Sequence, residues 1–185
     1  MKKLLRVKKL LSFIAVVVVI IVLSGCQSSG NKEISLKEKV DNLTIVATNG
    51  QATIAQAQDI FSWIDLDFKN WNLDKPNQKT PEIKTQVHEM VQNANFKQMF
   101  SSLSSDLDRL CLTQSQIIEF CKKYPSHLSQ DCWATFFLFK INNQYFVADV
   151  FIDSDGLNIF VFHFKLDWIW SGGHRHRLVI PQMKV

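Results

Sequence analysis

The 185-residue chain carries 21 Lys+Arg against 17 Asp+Glu, yet five of those basic residues fall within its first nine positions. The rest of the chain is close to neutral, with 16 basic against 17 acidic residues, so the pI near 8.9 belongs to the N-terminus. Recognition of nucleic acid through phosphate needs an excess of Lys and Arg on one face, and this composition excludes that class.

Met1 to Lys9 holds Lys2, Lys3, Arg6, Lys8 and Lys9 with no acid, and Leu10 to Leu23 is apolar except for Ser12. A basic head followed by a short greasy run is the pattern of a secretory signal. The run has about fourteen residues, where a spanning helix needs roughly twenty. Leu23-Ser24-Gly25-Cys26 then resembles the lipobox of bacterial lipoproteins. That resemblance implies cleavage before Cys26 and a palmitate-bearing diacylglyceryl thioether on its sulfur. An uncleaved anchor with an incidental cysteine is the alternative, and it puts the folded part on the same side of the membrane. The chain therefore divides into a signal peptide (1–25), a lipidated Cys26 with a polar tether (26–42) and one domain (43–185). The expected location is the cell membrane or envelope, with the domain outside the cytoplasm.

Leu43 to Ala47 is a β-branched strand candidate. Thr53-Ile54-Ala55-Gln56 has the spacing of a capping box, and Ile54, Ala57, Ile60, Phe61 and Ile64 follow at helical spacing. Asp65 to Thr80 reads as a long packed connection containing Trp71, and Thr85 to Val91 leans towards strand. Asn95 with Gln98 caps a helix whose apolar face is Phe96, Met99, Phe100 and Leu103. Thr113 to Gln116 is a second capping box flanked by Leu112 and Ile117, and that helix stops at Tyr124-Pro125.

The C-terminal third reads as β. Trp133–Ile141 and Gln144–Ile152 flank Asn142-Asn143, a two-residue hairpin turn. The turn sets Phe139 opposite Phe146, Phe137 opposite Ala148 and Thr135 opposite Val150. The other face pairs Phe136 with Asp149, Lys140 with Tyr145 and Leu138 with Val147. Asp155-Gly156 leads into Leu157–Phe164, and one or two strands run from Trp168 to Ile180. The expected fold is α+β: an antiparallel meander of four to five strands in the C-terminal third, packed against several short helices on one face.

Thr53-Ile54-Ala55, Asn70-Trp71-Asn72-Leu73-Asp74-Lys75-Pro76 and Leu110-Cys111-Leu112-Thr113 resemble an uncharacterised protein family of candidate-phyla bacteria. Ala134 to Lys140, Asp153-Ser154-Asp155-Gly156, Arg175-His176-Arg177 and Pro181-Gln182 extend the likeness over roughly residues 52–183. Gly172-Gly173 departs from that family's bulkier lead-in to Arg175. The resemblance implies no activity.

For chemistry, His174 and His176 alternate on the last strand, with His163, Asp149 and Asp167 as further ligand candidates. Neither Cys-x-x-Cys nor His-Glu-x-x-His spacing is present, so no metal and no cofactor is expected. Asp153 to Asn158 echoes a calcium loop, but its closing position falls on Phe162, and a hairpin turn explains Asp-Gly. Asp149 sits on an apolar strand and must meet Arg175, Arg177 or solvent, or serve as an acid. Cys111 and Cys121 are held too far apart by a helix for a disulfide; Cys132 with either is open, and buried thiols are the simplest reading. Trp168 and Trp170 share a face if they lie on a strand, as do Phe160, Phe162 and Phe164.

These features point to a non-enzymatic binding module. Its candidate surface is Lys140, Tyr145, Asp149, Phe160 and Phe162, on the face away from the helices. Its partners would be the membrane, through lipid on Cys26, and a protein, glycan or peptide of the envelope. The alternative is an envelope hydrolase or metalloenzyme using Asp149, His163 and His176; a structural lipoprotein is a third class. A shared cleft for those three residues would favour the enzyme, and a tryptophan-rich face the binder.

Overall fold

Two asparagines organise the centre of the sheet. Asn142 and Asn143 both adopt left-handed backbone, with φ of 50° and 60°, which matches the twist of a tight hairpin. The computed structural model describes residues 36–130 and 133–183. There β4 (Thr135–Ile141) and β5 (Gln144–Asp153) pair in the expected register, Phe139 with Phe146 and Phe136 with Asp149. The signal peptide, Cys26, the head of the tether and Cys132 lie outside the described residues.

β6 (Gly156–His163) continues the antiparallel meander alongside β5. Its turn uses Ser154 and Asp155, Gly156 opens the strand at φ 120°, and the Asp153 carboxylate accepts the Asp155 N–H at 2.8 Å. The meander is only part of the sheet. Among the described residues the sheet has seven strands in the order β1-β3-β7-β4-β5-β6-β2. β1 (Leu36–Ile45), β2 (Trp63–Ile64) and β3 (Ile83–Met90) come from the N-terminal half. β7 (Arg177–Pro181) runs parallel to β4, and β2 runs parallel to β6. The fold is α+β as expected, but the sheet is mixed and its strands are not confined to the C-terminal third. The reason is geometric: β6 and β7 point the same way, so residues 164–176 must cross one face of the sheet to connect them. β1 also starts at Leu36, earlier than the expected domain boundary at Leu43.

Thr53 to Ile64 is not a helix. It forms one tight turn, Ile54–Gln56, and then the edge strand β2. Thr53 donates its hydroxyl to Asp74 and caps nothing, while Trp63 and Ile64 pair with Asn158 and Ile159. Tertiary partners outweighed the helical spacing. The other two capping boxes are formed as read. Asn95 and Gln98 exchange bonds at the start of α2 (Phe96–Leu103), and Thr113 and Gln116 do so at the start of α3 (Gln114–Lys123). A short α1 (Asp67–Asn70) precedes them.

Both faces of the sheet are covered. On one, Phe137, Phe139, Phe146 and Val161 pack beneath α3, α1 and the Ile54 turn; Phe120 meets Phe137 edge-on at 5.5 Å and Phe68 stacks near Phe139 at 6.2 Å. On the other, Phe136, Leu138, Val147, Leu178 and Ile180 pack beneath α2 and Leu110, with Phe96 edge-on to Phe136 at 5.1 Å. The Asp65–Thr80 connection joins the first layer, through Phe68, Trp71 and Leu73. Gln114 ties that layer together. Its buried side chain accepts the Ile54 N–H at 3.0 Å and donates to the Leu73 carbonyl at 2.8 Å. No helix among the described residues is long and apolar enough to cross a membrane.

Candidate functional site

The crossing segment 164–176 builds a cleft at the end of the α2-covered face. Trp170 is fixed by a two-way backbone bridge to Ala94, with N–O distances of 3.1 and 2.9 Å. Gly172 follows against the Gln92 backbone, where a Cβ would stand 2.6 Å away, and its N–H reaches the Asn93 side chain at 2.9 Å. Only glycine permits that approach. Ser171 accepts the Gly173 N–H at 3.3 Å, and Arg175 turns the chain in a left-handed conformation at φ 51°. This returns the backbone to His176, whose carbonyl accepts the Met90 N–H at 2.8 Å.

The cleft has a volume of about 430 Å³, within the range of small-molecule sites. Its principal walls are Trp133, Trp168, Trp170 and His174, and Asp149 and His176 lie at its buried side. Trp133 and His174 stack with ring centres 3.8 Å apart and planes 12° apart. Trp170 meets Phe136 at 4.8 Å and the His176 ring at 5.3 Å, both edge-on. Trp168 is 65% exposed and Trp133 39%, so the cleft opens between tryptophans.

Its polar groups are few and incomplete. Asp149 is 6% exposed and His176 4%. Strand alternation puts Asp149 on the same face as Val147, between Phe136 on β4 and Phe160 on β6. Among the described residues Asp149 Oδ1, His176 Nε2 and Trp170 Nε1 have no hydrogen-bond partner. Burial without a counter-charge pushes the Asp149 carboxyl up to about 7. Burial, reinforced by His174, brings His176 down to about 4 against the bond from the Ala134 N–H. That bond, 3.2 Å long, ends on Nδ1 and so assigns the ring proton to Nε2. Near neutral pH the cleft therefore presents one carboxyl and two N–H donors on aromatic walls.

The five residues of the expected surface share one face of the sheet, but that face is covered by α2, and they fall into two groups, Lys140 with Tyr145 and Asp149 with Phe160 and Phe162. Lys140 and Tyr145 sit at the opposite end of the β4–β5 pair. There Asp108 accepts from Lys140 at 2.8 and 3.0 Å and from the Tyr145 hydroxyl at 2.8 Å. Those bonds, led by Lys140, hold the Asp108 carboxyl below its usual range, and the lysine and the phenol are raised in turn. Phe160 is flanked by Trp63 and Phe151, at 4.5 and 5.5 Å, and Phe162 by Phe96 and Trp170, at 6.0 and 5.9 Å. Only Asp149 of the five lines the cleft.

Neither arginine satisfies Asp149. Arg177 donates to the Leu128 carbonyl at 2.6 Å, and Arg175 approaches Glu89 at 4.0 Å. His163 lies on the opposite face, stacked on Trp71 at 4.3 Å and near Phe146 at 5.1 Å, so it does not converge with Asp149 and His176. No group of three His, Cys, Asp or Glu among the described residues is placed to hold a metal ion. Cys121 is buried and Cys111 half-buried, and both are free thiols; burial pushes Cys111 up to about 12 and Cys121 higher still. Neither is a ready nucleophile.

The sequence pattern puts Trp168 and Trp170 on a strand and gives Trp133 no role beyond a strand start. In the structure both tryptophans of the pair belong to the crossing segment, and Trp133 precedes β4. The legible signal is compositional: two tryptophans and two histidines within residues 168–176, with Asp149 alone on an apolar strand. No family model, curated protein or solved structure matches the chain.

Proposed function

We propose that the chain is a lipid-anchored envelope lipoprotein whose folded domain is a non-enzymatic binding module, with the tryptophan-walled cleft as its ligand site. One observation carries the binding reading: Asp149, His176 and Trp170 each leave a buried polar atom unpartnered at the same cleft. Such atoms cost roughly 1–3 kcal/mol each when unsatisfied, and that cost is relieved when a ligand supplies the missing partners. The anchor reading rests on the basic head, the short apolar run and the lipobox-like Leu23–Cys26. Kinship with the candidate-phyla family is part of the same reading and adds no activity to it.

Two measurements test the proposal. Cys26→Ser should abolish metabolic palmitate labelling, and labelling at the wild-type level would sink the anchor. The full-length protein in detergent micelles should show a saturable tryptophan-fluorescence change with some class of small molecule in a screen of sugars, amines, amino acids and peptides. Trp168→Ala should remove that change. A screen without any saturable response would end the binding reading.

A further inference from the structure

We propose that the cleft recognises a small organic ammonium compound that also carries an oxygen acceptor, with Asp149 as the counter-charge and the tryptophans as walls. This rests on reading the cleft as a binding site and names the chemical class of its ligand.

Each open group at the cleft has a definite chemical requirement. Asp149 Oδ1 is an acceptor at the buried side of the cleft, without a donor among the described residues. A carboxylate in such surroundings is best compensated by a donor that carries positive charge, since charge-assisted bonds are about twice as strong as neutral ones. Among the described residues no arginine or lysine lines the cleft, and Arg175 and Arg177 are engaged elsewhere. The walls favour the same ligand. Tryptophan offers the best aromatic face for a cation, and Trp133, Trp168 and Trp170 all line the cleft. The two remaining groups, His176 Nε2–H and Trp170 Nε1–H, are donors and require an oxygen. One ligand with an ammonium group and an acceptor oxygen satisfies all three. A neutral sugar would satisfy the donors and stack on the tryptophans, but would leave the carboxyl without charge compensation. The volume of about 430 Å³ suits a molecule of a few carbon atoms up to a short residue-sized compound.

The test uses the full-length protein in detergent micelles and isothermal titration calorimetry. The probes are ethanolamine, glycine, the uncharged analogue of ethanolamine in which a methyl group replaces the ammonium (1-propanol), and cellobiose. Ethanolamine and glycine should bind at least about tenfold more tightly than the uncharged analogue. Asp149→Asn keeps the side-chain shape and should reduce the ammonium compounds to the level of the analogue. Trp168 is exposed, so Trp168→Ala should fold and should weaken both by roughly threefold to tenfold. Equal affinity for ethanolamine and its uncharged analogue would overturn the proposal, as would full affinity in Asp149→Asn. Binding of cellobiose alone, lost in Trp168→Ala, would overturn the ammonium class while leaving the binding module intact. Silence from both ammonium probes also overturns it, and the wider fluorescence screen then decides the binding reading separately.

Discussion

Asp149 is a buried carboxyl whose ionisation works against folding. Its folded pKa, near 7, stands above the unfolded value of roughly 4. Between those two values the folded state holds a proton that the unfolded state has released, so stability falls as pH rises through that window. That separation corresponds to about 4 kcal/mol as an upper bound. His176 acts in the opposite sense, because its folded pKa is lowered and stability is gained as pH rises from about 4 towards its usual value. The two contributions oppose each other over most of the acidic range. Asp149→Asn is therefore expected to match the wild type in urea titrations below pH 4 and to exceed it by some 2–4 kcal/mol at pH 8. A variant less stable than the wild type at pH 8 would mean that the carboxylate is compensated after all. Gly172 is the second residue under strict constraint. Gly172→Ala sets a methyl 2.6 Å from the Gln92 backbone, and we expect about 1–3 kcal/mol of destabilisation by thermal melting.

At the scale of elements, α3 carries most of the local logic. Thr113 caps it through the Gln116 N–H, and Phe120 reaches down to Phe137. Thr113→Ala should cost about 1 kcal/mol. Gln114 does more than begin the helix, since it supplies both the donor and the acceptor that the Ile54 turn and the Leu73 loop lack. Gln114→Leu fills the space but strands two buried backbone groups, so a loss of roughly 2–5 kcal/mol is expected in chemical denaturation. The hairpin places Phe137 and Phe139 under this same layer. Phe137→Ala or Phe139→Ala should remove about 3–5 kcal/mol, and a change below about 1 kcal/mol would contradict the packing.

For the whole molecule, the decisive feature is a sheet with a hydrophobic core on each face. A meander covered on one side would leave Phe136, Leu138 and Val147 in water, whereas α2 and the crossing segment cover them. The cleft lies at the end of that face, lined by Asp149 and Phe151 of β5 and by Trp168, Ile169, Trp170 and Ser171 of the crossing segment. The Lys140–Tyr145–Asp108 cluster at the other end is a rim contact. Screening by solvent keeps such pairs weak, so Lys140→Ala should leave the midpoint of a denaturant titration nearly unchanged.

What the sequence determined by itself was local. Asn142-Asn143 dictates the register of β4 and β5 because its left-handed turn admits one pairing, and the boxes at Asn95 and Thr113 start α2 and α3 because their bonds span three residues. Asp149 was legible as a problem, a carboxyl among apolar neighbours, but its surroundings were not. The parallel placement of β7, the fate of Thr53–Ile64 and the distance of His163 from Asp149 were decided by tertiary structure. Each depends on contacts between residues far apart in the chain, such as Trp170 with Ala94 and Thr53 with Asp74. No periodicity encodes such contacts. The cleft belongs to the same class: its tryptophans, histidines and carboxyl come together only because the chain must cross one face of the sheet to return parallel to β4.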